Sequence, residues 1–593
     1  MNPVAPRHPR RRHHVAALSA LIVLLQIFGT IGLTNAQDAS PVATPEASPG
    51  ASPVTGLGGP VELAEIPRNP GSEQPDADPD ATVTFNLGSE IDTGDPQVMA
   101  FLNEIEIASK VYVPLFALNE DNAVASAGAE SATVSDDGRV YTFTIREGMT
   151  YTDGQPVTAA NYAYAIKRAC SPVVAGNYSN ILYAITGCEA WRAADPAGDT
   201  TSLEAAIDEA IVAIDDRTLE IHLDFAAGYF PYVMTTWVTY PVREDLVEGK
   251  PADWWLDPAN YIGNGPFRLV SHTVNQEWTF ERNDDYYLGA PGIRTLVYRE
   301  VDSAETALLA YQQGEFDLVG PSSTQLPQVE ADPTLSQELV RQSDASTFFM
   351  GFNNAAAPFD DVRVRQAFAS ALNREQYINQ IANGVGVPAG TFLYEGIPGY
   401  QTGTAQTFDE AGAQQLLAEA GYPGGEGFPV LQLRFNGESA ISQQIATFWA
   451  QSLNQTLGVT IEPTPIDVAE LQSMRTNRDP ELVIFLGNWF EDYPHPQNWL
   501  SLVFGPGSTR SPLGWDNEEF NNLVREADQL PIEEAIPLYE EADALLAREA
   551  PVAFYLHGES LVLVKPTLQG YVTYPTSVVD TRYQIEKIYR VAE

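Results

Sequence analysis

Leu482-Val483-Ile484-Phe485-Leu486-Gly487-Asn488-Trp489-Phe490-Glu491-Asp492-Tyr493-Pro494 decides the fold. The first five residues form an unbroken apolar run, the pattern of a buried strand. At its C-terminal end come aromatic rings, two adjacent acids and two prolines, Pro494 and Pro496. In open α/β sheets that edge is where ligands collect. A carboxylate beside aromatic rings in a cleft suits a cationic group such as an α-ammonium, by ion pairing and cation–π attraction. A rigid turn with a solvated Asp492 accounts for the same residues without a ligand.

Working outward, strands and helices are mixed along the chain. Val140 to Arg146 alternates Tyr141, Phe143 and Ile145 with polar residues, between the turn dipeptides Asp137-Gly138 and Asp153-Gly154. Leu219, Ile221 and Leu223 define a second strand, with His222 on its wet face. Val364, Ala367, Phe368, Ala371 and Leu372 form one helical stripe. Thr407 and Glu410 have the spacing of a capping box before the stripe Ala413, Leu416, Leu417 and Ala420, which stops at Gly421. Phe520, Leu523, Val524 and Ala527 make a third stripe, opened by Asp516. These stripes are core packing. No fixed repeat is present, which argues against solenoids and propellers.

The chain has 593 residues, too many for one hydrophobic core, so several lobes are expected. Its formal net charge of −47 repels phosphate backbones and anionic headgroups, so no nucleic-acid partner is expected. With 44% apolar residues the chain has ample material for a folded core. Arg7, Arg10, Arg11 and Arg12 precede an apolar run from Val15 to Leu33, followed by the small residues around Ala36. Residues 1–36 therefore read as a cleaved export signal, although the run also suffices for an uncleaved membrane anchor. No cysteine near Ala36 offers a lipid attachment point. Residues 37–80 repeat Ala-Ser-Pro and are rich in proline, the composition of an extended, mobile linker. The two cysteines, Cys170 and Cys188, would meet an oxidising compartment after export and are expected to form a disulfide.

Signs of catalysis are sparse. His222, His272, His495 and His557 form no His-Glu-x-x-His pair, and two cysteines cannot build a thiolate zinc site. No nucleophile elbow or phosphate-binding loop occurs, and Gly263-Asn264-Gly265-Pro266 is too short for a dinucleotide turn. The chain is accordingly expected to be no enzyme and to need no cofactor and no metal.

Six motifs carry a resemblance. They are Ser135-Asp136-Asp137-Gly138 running into Tyr141 to Gly148; Asp153 to Ala159 leading to Lys167-Arg168; Gly263 to Phe267; Arg282 to Tyr287; Asn353 with Pro358 to Ala367; and Trp489 to Pro494. In that order, from about residue 82 to 572, the chain resembles the extracellular solute-binding proteins of peptide ABC importers, the oligopeptide- and dipeptide-binding family 5. The resemblance implies an α/β periplasmic-binding-protein-like fold, with two lobes around a cleft and an extra inserted domain. Lobe I would comprise 81–118, 236–322 and 551–593, the insertion 119–235, and lobe II 323–550.

The resemblance also implies a monomer, held outside the cytoplasm, that closes on a peptide and docks on membrane permease subunits. Asp492 would pair with the peptide's N-terminal ammonium, Asn488 and Phe490 would offer backbone groups to it, and Trp489 and Tyr493 would line the site. Dipeptide binders carry an Arg in the segment matching Asn436–Gln443, where this chain has no cation, so longer peptides are favoured. Nickel-binding relatives lack the acid at Asp492, although His495 nearby keeps a nickel chelate open. Trp489, Tyr493 and Trp499 would equally suit sugar oligomers, and a secreted hydrolase is the last alternative.

Overall fold

The computed structural model describes residues 57–592 apart from 69, 404, 438, 507, 509–513 and 572–584. The expected export signal and the first part of the linker lie outside the described residues. Ten strands make the principal sheet: β1 (Thr82–Asn86), β2 (Phe267–Thr273), β3 (Glu277–Arg282), β4 (Thr295–Arg299), β5 (Leu318–Val319), β6 (Leu339–Phe352), β7 (Leu431–Asn436), β8 (Ile461–Ile466), β9 (Ile484–Phe490) and β10 (Val552–Val564). Their order is β8-β7-β9-β6-β10-β5-β1-β4-β3-β2. Val387–Pro388 pairs additionally with β10. Parallel pairs (β7 with β8 and β9; β1 with β4 and β5) alternate with antiparallel ones, giving a mixed α/β sheet.

Two long antiparallel strands, β6 and β10, run through the middle of this order. Their register breaks between Ser343 and Thr347, where Ala345 takes a left-handed φ of 48°. Gly558 sits opposite the break. A Cβ there would lie 2.1 Å from Asp344 Oδ1 and 2.2 Å from Ser346 Oγ, so any larger residue would displace these two side chains. On one side of the break Phe352, Phe359 and Phe368 pack with Trp449 and Tyr555; on the other, Leu308, Tyr311, Val329 and Leu335 pack with Leu563. Residues 326–338 thus belong to the same small core as 308–319.

A second, five-stranded antiparallel sheet joins Gly59–Pro60, Ala129–Val134, Val140–Ile145, Thr218–His222 and Ile211–Ala213. From residue 57 the segment expected as a linker makes strand pairs and bridges. Residues 57–80 are held by pairing with Val134 and Thr133, by a bridge from Ala64 to Ala125, and by another from Ala77 to Val591. Proline-rich composition did not prevent docking, because backbone groups between the prolines found partners along existing strand edges.

Both strands expected from alternation are present, as is a helix at Val362–Ser370. Two caps differ. Asp409, not Thr407, accepts the Gly412 N–H at the start of helix Glu410–Glu419. Asn517, not Asp516, accepts the Phe520 N–H before helix Glu518–Ala527. In each case the residue immediately before the first helical turn is placed to reach an orphan amide, while the earlier one is not.

Several family-like motifs prove to be packing devices. Asn264 exchanges hydrogen bonds with the Val113 backbone at 2.9 and 3.3 Å, and a Cβ on Gly263 would lie 2.0 Å from the Val111 carbonyl oxygen. Arg168 grips Asp95 with both terminal nitrogens at 2.6 and 2.5 Å, and Asp95 also accepts from Trp254 Nε1.

Cys170, capping helix Ala159–Ala169, is bonded to Cys188, the first residue of helix Cys188–Arg192, and both are fully buried. Replacing both by serine is expected to lower unfolding free energy by about 3 kcal/mol, through the loop entropy returned to the unfolded chain. An unchanged denaturation midpoint would refute that value.

Candidate functional site

Strand β9 positions the site. It pairs with β6 along its whole length, from Ile484–Phe352 to Phe490–Ser346. Its other edge meets β7 only at Ile484 and Phe485. Among the described residues no strand pairs with that edge from Leu486 to Phe490. Alternation along β9 buries Gly487 and Trp489, leaves Asn488 exposed and Phe490 half-buried.

After β9 the chain turns through Glu491 to Pro494 and enters helix Pro496–Phe504. Pro496 occupies the first helical turn, where its missing N–H costs nothing. His495 is the N-cap: its Nδ1 accepts from the Gln497 N–H at 3.2 Å. Burial drives the His495 pKa down to about 3, so the ring is neutral and can accept. Tyr232 and Tyr539 flank it at ring distances of 5.2 and 5.8 Å.

Asn498 holds the turn together. It is fully buried, and its Oδ1 accepts from Trp489 Nε1 at 3.2 Å and from the Asp492 N–H at 3.0 Å. Its Nδ2 donates to Asp492 Oδ2 at 3.0 Å. One amide thus fixes both the direction of the Asp492 carboxylate and the indole behind it. Asp492 itself is half-buried, so this carboxylate is oriented yet within reach of solvent.

The neighbouring acid differs. Glu491 is 2% exposed; its Oε2 accepts from Tyr394 Oη at 3.1 Å and Trp499 Nε1 at 3.2 Å. Its pKa is raised well above the ordinary carboxyl range, chiefly by burial, against the lowering effect of those two donors. Glu491 is sealed in the core by these contacts, and Asp492 is the acid of the pair that can meet an incoming cation.

Of the five residues read from the sequence, Asn488, Phe490 and Asp492 reach the surface beside the unpaired edge. Trp489 and Tyr493 do not: Trp489 is 7% exposed, and Tyr493 is buried with its hydroxyl donating to Gln497 Oε1 at 2.5 Å. Sequence reading missed Asn498 and the burial of Glu491. Pro496 marks the helix start, which puts Asn498 at the third helical position, where side chains reach back over the N-terminus. That signal was available. From segment 227–232, Tyr229 and Tyr232 pack against His495 at ring distances of 6.2 and 5.2 Å, and the Gly228 N–H donates to the Asp528 carbonyl at 3.0 Å.

The profile of the bacterial extracellular solute-binding proteins, family 5 (middle region), matches residues 123–511, most of the chain. The chain belongs to that family. Family 5 consists of solute-binding proteins rather than enzymes, and its members work outside the cytoplasm. Similar family 5 proteins include the dipeptide-binding protein of Bacillus subtilis, 28% identical over 79% of this chain and 84% of the relative. A probable deoxycholate-binding periplasmic protein of Escherichia coli is 27% identical over 86% of this chain and 94% of its own. The solved Escherichia coli murein tripeptide binding protein superposes with a TM-score of 0.74 at 22% identity, covering 87% of this chain and all of that one. The fold is therefore the α/β two-lobe periplasmic-binding-protein fold of family 5. Among the described residues no helix is long and apolar enough to cross a membrane.

Proposed function

We propose that this chain is the extracytoplasmic binding component of an ABC importer, a monomer that captures peptides by their free N-terminus and presents them to membrane permease subunits. The observation that carries this reading is the Asp492 carboxylate, aimed by Asn498 and placed at the end of a strand whose outer edge is unpaired. An extended peptide would add to β9 at Asn488 and Phe490 through backbone hydrogen bonds, which tolerate any side chain. Its ammonium would meet Asp492. Trp489 and Tyr493 enter as residues that hold the turn. No reaction is assigned to the site.

We infer a hinge at the break between β6 and β10, at Asp344–Ser346 and Gly558, the point at which the two long strands change packing partners. Lobe I then takes residues up to about 343 outside the 119–235 insertion, together with the C-terminal part of β10 onward. Lobe II takes the residues between the two crossings. Contacts such as Gly228 with Asp528 are those that closure would form, and ligand gain in the closed state is what would signal the permease.

A thermal-shift titration with a mixed peptide digest, run beside the same digest N-acetylated, tests this. Free peptides are expected to raise the melting point, by about 2.7 kcal/mol of linkage at a hundredfold excess over Kd, and acetylated ones to have no effect. Equal shifts with both digests would remove the ammonium from the reading. Stabilisation by deoxycholate and not by peptides would favour a second reading, a non-peptide amphiphile, which the deoxycholate-binding relative supports.

A further inference from the structure

At the other end of the principal sheet, separated from β9 by β6, β10, β5 and β1, three side chains converge that the peptide reading does not use. Glu90 follows β1, His272 lies in β2 and Glu300 directly follows β4. One ligand atom from each lies within 4.8 Å of the other two. His272 Nε2 is 2.9 Å from Glu90 Oε2, which also accepts the Asn275 N–H at 2.8 Å. Glu90 Oε1 accepts the Ile91 N–H at 3.1 Å.

Glu300 is the anomaly. Both of its carboxylate oxygens are closed off from solvent, and neither has a hydrogen-bond partner of good geometry. The Trp278 indole N–H lies nearby but makes no hydrogen bond of good geometry to it. Buried carboxylates without donors are rare in native proteins, and each calls for a compensating ion, water or proton. A second carboxylate at this range adds repulsion that a cation would remove.

The cluster has the composition and stiffness of a metal site. One imidazole, a borderline donor, with two hard carboxylates is a mixed set that Zn2+ and its neighbours accept, whereas Ca2+ and Mg2+ prefer oxygen alone. The His272 side chain is only 2% exposed, and its ring is stacked on Trp278 at 3.7 Å, which fixes its direction. Trp278 is in turn stacked on Trp255 at 6.0 Å. The Glu300 N–H is anchored to the Gln276 carbonyl at 3.0 Å.

We propose that Glu90, His272 and Glu300 bind one divalent transition-metal cation of the Zn2+ class, with water completing its coordination. The ion ties the segment after β1, strand β2 and the end of β4 to one another. It is a structural clamp on the first half of the sheet, distinct from the peptide site.

The test uses the full chain stripped with chelator and titrated with ZnCl2 by calorimetry. One site per chain is expected, weakened about a hundredfold or more in His272→Gln and in Glu300→Gln. Peptide binding should be retained in both variants, which verifies that they are folded. The parent protein supplies an independent readout. One equivalent of Zn2+ should shift the ring resonances of a single 15N-labelled histidine, absent from the His272→Gln spectrum. Unmoved histidine signals in the parent would overturn the proposal. So would stoichiometric zinc binding that survives both substitutions, because the metal would then sit elsewhere on this acidic surface.

Discussion

Asp492→Asn is expected to weaken binding of peptides with a free N-terminus by about two to four orders of magnitude. Removing one partner of a desolvated charge pair leaves the other buried and uncompensated, at a cost of roughly 3–5 kcal/mol. The substitution preserves shape, and an asparagine side-chain oxygen can still accept from Asn498 Nδ2, so the melting temperature of the empty protein should change little. N-acetylated peptides, already without the charge, should not discriminate between the two proteins. Calorimetric titration of parent and variant with one peptide measures the difference directly. Equal affinities would place the ammonium elsewhere, and a large fall in melting temperature would mean that Asp492 is mainly a structural acid.

The contribution of Asp543 to the stability of the empty protein should grow as pH falls from about 7 towards 4, while the buried neutral His495 and His557 act in the opposite direction. Asp543, on helix Ile532–Glu549, is 1% exposed; its Oδ1 accepts the Phe392 N–H at 3.2 Å, and its other oxygen has no partner. Burial raises its pKa from 3.8 to about 7, against the lowering effect of the backbone donors. Over that interval the native state holds a proton that the unfolded chain has released, so the native state binds more protons. Stability from this group is full below the unfolded pKa and is lost as pH rises through the folded one. The shift sets a ceiling of about 4 kcal/mol. Glu491, raised by its own burial, acts in the same direction. Asp543→Asn keeps the acceptor for Phe392 and does not titrate. The stability of the parent minus that of the variant should therefore fall between pH 4 and 7 in denaturant melts, and a constant difference would show that the Asp543 pKa is not raised by folding.

Much of the fold was legible because its signals are local. Apolar alternation from Val140 to Ile145 and the stripe at Val364 report burial residue by residue, and the run Leu482–Leu486 announced a buried strand. Motifs such as Gly263-Asn264-Gly265 are legible for a related reason: close backbone packing against Val111 admits only particular residues, whatever the ligand. Cap positions were less secure. Thr407 and Asp409 are both competent caps, and the choice depends on where the preceding chain enters the helix.

By itself the sequence determined the α/β class, the membership in a solute-binding family, the pairing of Cys170 with Cys188, and the place of Asp492 at the end of a strand. Tertiary structure alone decided which neighbours each polar group meets. It turned Glu491 into a buried acid and Asp492 into an oriented one, though they are adjacent in the chain. It docked residues 57–80 on strand edges and brought Glu90, His272 and Glu300 together from distant positions. The reason is physical. Hydrophobic periodicity is written in the spacing of nearby residues, whereas desolvation, hydrogen-bond direction and charge proximity are set by segments that meet only when the chain has folded.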